Sequence, residues 1–395
     1  MRIYLDHNAG GPVRPEVCAA IARFVAAEEG NPASVHGSGQ RARRALEQAR
    51  TEVASLIGAA AREIIFTSGG TESNNLAVHG VAAVRPRGRR IITSEIEHSS
   101  ILAPLKLIES HGFDVVRIAP DRDGRIAPQA VESALDADTA MVTLGLANSE
   151  VGTIQPIPVI AAAAKRAGAP MHVDAAQAVG RMPVSVRELG CDLLTISGHK
   201  LGTPAGIGAL YVRQGTAIAP AMLGGPQEAG MRAGTPNLLG AIALGVAART
   251  VRSELEKERA RIEALARVLL ERLRATIPGL RLNGPSVGRT INTLNLSFPG
   301  VLGESMLIAL DLEGVEVSMG SACAAGAIEP SHVLLAMGLD PDEARSSLRL
   351  SLGWSTTDLE VERAAEIIPR VWRRVMAAEP AGADSTAAPG AGAIR

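Results

Sequence analysis

The stretch Asp192-Leu-Leu-Thr-Ile-Ser-Gly-His-Lys200 runs from a buried-looking apolar segment into Ser197, His199 and Lys200. The chain then turns through Gly202 and Pro204 into a second apolar segment, 207–212. A strand that stops at a glycine and presents a hydroxyl, an imidazole and an amine is a place to hold a phosphate and a carbonyl that reacts with amines. Lysine is scarce here, with Lys106, Lys165, Lys200 and Lys257 the only four. The other three fall in helical patterns and read as surface residues. Lys200 alone stands at a strand end. A Schiff base requires a primary amine that can lose its proton, and arginine cannot supply one.

Outward from this stretch, strand and helix patterns alternate. Residues 63–67 form an apolar run ending in Gly69-Gly70-Thr71, and residues 72–84 follow with helical periodicity. The first amides of such a helix have no internal partners and sit at its positive end, so the unit binds phosphate readily. Its glycine spacing matches neither the dinucleotide fingerprint nor the nucleotide P-loop. Further strands are expected at 90–93, 114–118, 140–144 and 170–173, with helices at 100–110, 127–135 and 158–167 between them. Near-continuous apolar strands alternating with helices predict a mostly parallel sheet covered on both faces. In such sheets the ligand sits beyond the carboxyl ends of the strands. Thr71, His98, Asn148, Asp174, Gln177, Ser197, His199 and Lys200 all gather at those ends.

The remainder is looser. A glycine-rich loop at 223–235 leads into a long helical region, 237–277, dense in Arg and Glu. Strands at 291–298, 315–318 and 347–352 and helices at 304–312 and 357–376 form an α+β pattern. The expected organisation is a large cofactor-binding domain over 13–250 and a small domain from 1–12 plus 251–377. Residues 378–395, rich in Ala, Gly and Pro, read as a disordered tail.

A length of 395 residues suits two or three domains at about 100–200 residues each. A net charge of −1 gives no pull toward nucleic acid or an anionic membrane. No apolar window reaches the roughly 18 residues of a membrane span, and the start of the chain lacks a signal-peptide core. Cys18, Cys191 and Cys323 are odd in number and far apart, which argues against disulfides or a zinc site and fits a reducing cytoplasm. No metal is expected. Cys18 and Cys191, within or beside regular elements, read as core residues.

The strand-end residues match the needs of an aldehyde-bearing pyridine phosphate. Lys200 supplies the amine. Asp174 supplies an acid for the ring nitrogen, keeping the ring an electron sink. His98 offers a flat group over the ring. The amide of Gly70 with Thr71, Ser197 and His199 offers phosphate donors. Taken singly, Asp174 and His199 also suit helix capping or turn hydrogen bonding.

The motifs Asp6-His-Asn-Ala, Phe66-Thr-Ser-Gly-Gly-Thr-Glu-Ser-Asn-Asn75, Glu97-His98, His172-Val-Asp-Ala-Ala-Gln177, Ser197-Gly-His-Lys200, Arg232-Ala-Gly-Thr235, Gly320-Ser-Ala-Cys323 and Ser347-Leu-Arg-Leu-Ser-Leu-Gly353 follow one another over residues 3–375. In order and spacing they resemble the cysteine desulfurases, in the group of the nitrogen-fixation and housekeeping iron–sulfur-cluster enzymes. The resemblance implies the aspartate-aminotransferase-like fold type I and pyridoxal 5′-phosphate as cofactor. It implies that Lys200 bears the cofactor and moves protons, Asp174 pairs with the pyridine nitrogen and Gln177 contacts the phenolic oxygen. His98 would stack on the ring and shuttle a proton. Gly70, Thr71, Ser197 and His199 would hold the phosphate, with Thr235 reaching that of the other subunit in a homodimer. Arg349 would pair with the substrate carboxylate, beside Asn148 and Ser149. Cys323, in a loop of small residues, would take sulfur from L-cysteine as a persulfide and leave alanine. A protein acceptor, an iron–sulfur scaffold or another sulfur carrier, would receive it.

Three departures stand out. Ser149 replaces a usual Asn, which implies altered substrate binding. Gly10-Gly11 replaces a threonine pair, and Gly202-Thr-Pro-Ala205 differs from the usual sequence after the lysine. The competing expectations are a selenocysteine lyase or another pyridoxal-dependent lyase, and a weakened homologue acting as a binding partner in sulfur transfer.

Overall fold

A computed structural model of the chain describes residues 2–27, 30–84, 88–320 and 329–378. Cys323 and the expected tail beyond Ala378 lie outside the described residues. The strands are β1 (Ile3–Tyr4), β2 (Ile64–Thr67), β3 (Arg90–Ser94), β4 (Asp114–Ile118), β5 (Thr139–Gly145), β6 (Met171–Asp174), β7 (Leu193–Ser197), β8 (Gly208–Val212), β9 (Arg281–Asn283), β10 (Thr293–Ser297), β11 (Val315–Glu316) and β12 (Ser347–Ser351).

Seven of these form the main sheet in the order β2-β8-β7-β6-β5-β3-β4. β8 pairs antiparallel with both β2 and β7, and every other pairing in the sheet is parallel. The carboxyl ends of β2, β3, β5, β6 and β7 therefore share one edge. β2 and β7 are buried at every residue and β6 at all but its last, as expected for strands covered on both faces. The polar residues they bury are paired sideways: His172 on β6 lies 2.8 Å from Thr143 Oγ1 and 3.1 Å from Thr195 Oγ1. Burial pushes the His172 pKa down to about 4, so this rung is uncharged.

A second sheet, β12-β10-β9, is antiparallel, and β1 pairs in parallel with β11. Its core joins Ile3 and Leu5 to Leu269, Phe298, Leu350 and Ile368. The main sheet has its own core, including Val142, Val173, Leu194 and Ile196. The helix Leu238–Thr276 serves both: Leu244, Ala247 and Val251 pack into the first core, Leu265, Leu269 and Leu273 into the second. Asn237 caps its start by accepting from the Gly240 amide at 3.0 Å.

Several elements differ from the expectations. The first helix of the phosphate-type unit begins at Gly70, two residues early, because the glycine turn is itself the first helical turn. The strand Arg281–Asn283 and the short helices Val186–Leu189, His332–Ala336 and Pro341–Arg345 were not foreseen; all are too short to show a period. Cys18 is exposed, contrary to its core reading. The helix Pro15–Ala27 buries Val17 and Ala20, and Cys18 lies on the other face. Cys191 is buried, and burial raises its thiol pKa to about 12.

Candidate active site

The site forms where the carboxyl edge of the main sheet meets the turn after β1. That turn, Asp6 to Asn8, is threaded into the cleft and held there. The Asn8 side chain donates to Ser149 O and Thr293 Oγ1, each at 2.9 Å, and accepts from Asn292 Nδ2 at 3.0 Å. Its carbonyl accepts from Gln177 Nε2 at 3.0 Å and from the Lys200 amine. Lys200 Nζ also donates to Ala9 O at 2.7 Å.

Lys200 is half-buried, whereas Lys106, Lys165 and Lys257 are exposed. Burial brings its pKa down to about 7. The Arg181 and Arg349 cations add to the fall, and Asp6 and Asp174 oppose it. A substantial fraction of this amine is therefore neutral, and nucleophilic, near neutral pH. Among the described residues Arg181 has no carboxylate partner; its guanidinium donates to Gln177 O at 3.1 Å and His7 O at 3.2 Å. Burial pulls even its pKa down to about 10.

Asp174 ends β6, one strand away from the lysine strand. It accepts from the Ala176 amide at 2.9 Å and from Asn74 Nδ2 at 2.8 Å. His98 caps the helix Ser99–Ser110 and is exposed to the cleft. Burial of part of the ring and the nearby Lys200 and His332 lower its pKa, and Asp174 opposes them. Glu97, just before it, is buried, accepting from the Gly145 amide at 2.8 Å and from the Ser94 hydroxyl at 2.5 Å. Burial raises its carboxyl to about 7.

The helix Gly70–Val84 points its start toward Ser197: a Cβ on Gly70 would meet Ser197 Cβ at 3.3 Å. Ser197 Oγ and His199 Nδ1 lie 3.1 Å apart. Burial lowers the His199 pKa to about 4, so it is a neutral ring beside these donors. Thr71 is exposed at the same helix start, and Thr235 is exposed on its loop.

Arg349 sits on β12 and is only 6% exposed. It pairs with Asp6 Oδ1 at 2.7 Å and donates to Ser149 O at 3.3 Å, leaving Nε with no partner among the described residues. Ser149 thus contributes its backbone carbonyl to Arg349 and Asn8. The Asn148 side chain is engaged in its own turn, accepting from the Glu150 and Val151 amides and donating to Ile96 O. Glu150 is buried beside the stems of the segment bearing Cys323. It accepts from the Ser331 hydroxyl at 2.5 Å, and a Cβ on Gly320 would strike its carboxyl.

The donor set fits a phosphorylated pyridine aldehyde. It contains an amine with a lowered pKa, a carboxylate beside it, and a helix start flanked by a hydroxyl and a neutral imidazole. Among the described residues Gln177 Oε1 and Arg349 Nε are buried without partners, as expected of groups that serve a ligand. A Cβ on Gly69 would meet nothing within 4 Å, so the turn borders open space. Sequence reasoning named no role for Asn8, Asn74 or Arg181. The one signal for Arg181 is an arginine in a stretch, 175–187, that holds no acid.

The sequence profile of the class-V aminotransferases matches residues 3–364. The chain is 44% identical to cysteine desulfurase IscS of Dictyoglomus turgidum, covering 96% of each protein. In structure it is similar to a NifS-like protein, with a TM-score of 0.89 and 34% identity over 95% of this chain and all of that one. It also matches SspA in complex with cysteine, with a TM-score of 0.80 and 34% identity, covering 90% of this chain and all of that one. With the cleft assembled as described and the likeness running the length of the chain, the protein belongs to the cysteine desulfurases, a group within the class-V aminotransferase family.

Proposed function

We propose that this protein is a pyridoxal phosphate-dependent cysteine desulfurase. It converts L-cysteine to L-alanine and places the sulfur on Cys323 as a persulfide. The observation that carries the reading is the Lys200 amine, brought to a pKa of about 7 at the mouth of the sheet beside Asp174. When bound, the cofactor supplies an electron sink that weakens bonds at the substrate's Cα and Cβ.

The chain's own groups do the rest. Lys200 holds the cofactor and then accepts and returns a proton at Cα, a task suited to an amine that titrates near neutrality. Asp174 keeps a proton at the ring nitrogen. Gln177 sits by the phenolic oxygen. The amides of Gly70 and Thr71, with Ser197 and His199, hold the phosphate, and Thr235 serves the partner subunit of a homodimer. Arg349 receives the substrate carboxylate through its unpartnered Nε edge, and the Ser149 carbonyl and Asp6 fix its plane. Asn148 and Ser149 border that position. The Cys323 thiolate attacks the substrate sulfur; the S–S bond forms as the C–S bond breaks, and the carbon fragment is protonated to alanine. A sulfur-accepting protein in the cytoplasm, such as an iron–sulfur scaffold, then takes the sulfur. Among the described residues no helix is long and apolar enough to cross a membrane, and no cluster of ligands suits a metal.

The purified protein is expected to carry visible absorbance from its cofactor. With L-cysteine and a thiol reductant it should release alanine and sulfide in equal amounts. Cys323→Ser should abolish both and leave the absorbance. A colourless protein that stays inert when given pyridoxal phosphate would sink the reading. Full activity in Cys323→Ser would move it to a lyase that needs no thiol.

A further inference from the structure

We infer that Asn74 and Ser100 are positioning residues that hold His98 as the neutral tautomer with its proton on Nε2 and tie the ring to Asp174. The Ser100 backbone amide lies 3.1 Å from His98 Nδ1 and meets it as a donor. A backbone N–H can only donate, so Nδ1 bears a lone pair and the neutral ring's proton is on Nε2. The Ser100 hydroxyl lies 2.7 Å from the same Nδ1. With no proton there to receive, the hydroxyl is the donor in that bond as well.

The orientation of the hydroxyl is in turn fixed by Asn74. Its Nδ2 lies 2.8 Å from Ser100 Oγ and 2.8 Å from Asp174 Oδ2. An ionised carboxylate only accepts, so the group facing it must be the amide nitrogen. Flipping the amide would set Oδ1 against the carboxylate. Both Nδ2 hydrogens are thereby used, and Oδ1 is left buried without a partner. Every bond in the chain is consequently directed: Asn74 donates to Asp174 and to Ser100, and Ser100 donates to His98.

Two consequences follow for the ring. Nε2–H is left as a hydrogen-bond donor. A second proton can enter only at Nδ1, and only by displacing both bonds from Ser100. The charged and titratable groups facing the ring are Asp174, Lys200 and His332, from three different elements. Asp174 favours the charged ring and the other two oppose it, so the Ser100 bonds add to the side that keeps it neutral. His98 therefore presents a flat face and a fixed donor to whatever atom bears a lone pair there. It does not serve as a proton acceptor at neutral pH. This inference keeps the stacking role that the resemblance implies for His98, replaces its proton shuttling with a fixed donor, and rests on the proposed desulfurase site being the active one.

The test is nitrogen NMR of the full-length, cofactor-loaded protein labelled at histidine, with His98→Gln identifying the His98 signals. The expected spectrum shows a bare Nδ1 and a protonated Nε2 at pH 7. The titration midpoint should lie below the ~6.5 of a free imidazole. Ser100→Ala removes one donor from Nδ1 and should raise the midpoint toward that value, and Asn74→Ala should do the same. Both variants should move the acidic limb of kcat/KM upward in pH by the same interval. A protonated Nδ1 in the wild-type spectrum overturns the inference without recourse to any variant, and so does a midpoint unmoved by a folded Ser100→Ala. The spectrum reads the ring itself. The expected tautomer in a protein with no desulfurase activity would sink the functional reading and leave this inference standing.

Discussion

Lys200 shows how one side chain's chemistry is set by its surroundings. A solvated lysine has a pKa of about 10.4 and is almost wholly charged at neutral pH. Burial, with Arg181 and Arg349 near, brings this amine to about 7. Capture of pyridoxal phosphate by the cofactor-free protein, followed by absorbance, should therefore accelerate with pH to a midpoint near 7. Arg181→Gln removes a cation that disfavours the charged amine, so the midpoint should move upward. An unchanged or lower midpoint would show that burial alone sets the amine. Arg349 illustrates a different constraint. Its ion pair with Asp6 is 2.7 Å long and mostly shielded from water. In the proposed function this fixes the guanidinium in advance for a substrate carboxylate, with Nε unpartnered among the described residues.

Among the elements, β8 and the turn at Gly69 set the geometry of the phosphate-type corner. β8 is the antiparallel strand wedged between β2 and β7, and it opens with Gly208. A Cβ at Gly208 would lie 2.7 Å from the Gly69 Cα and backbone carbon and from Ile196 O. All three are backbone atoms, which cannot swing aside as a side chain end can. Gly208→Ala should therefore push the turn outward. We expect a loss of about 1–3 kcal/mol in denaturant unfolding, as for other overpacked sites, with weaker cofactor retention on dialysis. Wild-type stability and retention in this variant would mean that the corner yields. The opening strand–helix unit of this corner was readable in advance, because an apolar run, two glycines and a helical period are local signals. That β8 reverses direction was not, since its own residues look the same in either sense.

At the scale of the whole molecule, the core around Val173 and the core around Leu269 are joined by the helix Leu238–Thr276 and by Arg14. The Arg14 guanidinium donates to both carboxylate oxygens of Glu258, at 2.8 and 2.9 Å, and to Leu201 O at 3.0 Å. It also lies over the Trp354 ring, 5.1 Å from its centroid. One side chain thus ties the start of the helix Pro15–Ala27 to the turn after the lysine strand, the long helix and the turn after β12. The pair is largely buried, with side-chain exposures of 5% and 14%. Arg14→Met leaves Glu258 without its partner and should lower stability by about 3 kcal/mol, read from the urea midpoint. Glu258→Gln in the same background should recover part of that loss. A single variant within about 0.5 kcal/mol of wild type would show that the tie is not structural.

The sequence by itself determined the strand–helix alternation, the parallel character of the main sheet, the polar strand ends and the one amine among them able to act. Each is carried by neighbours within a few residues: apolar period, glycine turns, and the position of Lys200 after β7. The tertiary structure decided which distant groups share the cleft. Asn8 meets Lys200 across 191 intervening positions, Arg349 meets Asp6 from the far end of the chain, and Arg181 arrives with only an acid-free stretch to mark it. It also turned Cys18 to the surface and set Ser149 in place through its carbonyl. Such pairings, and the burial that shifts the protons of Lys200, Glu97 and His98, depend on how much water the folded chain excludes. That quantity exists only once segments far apart in sequence have closed around the site.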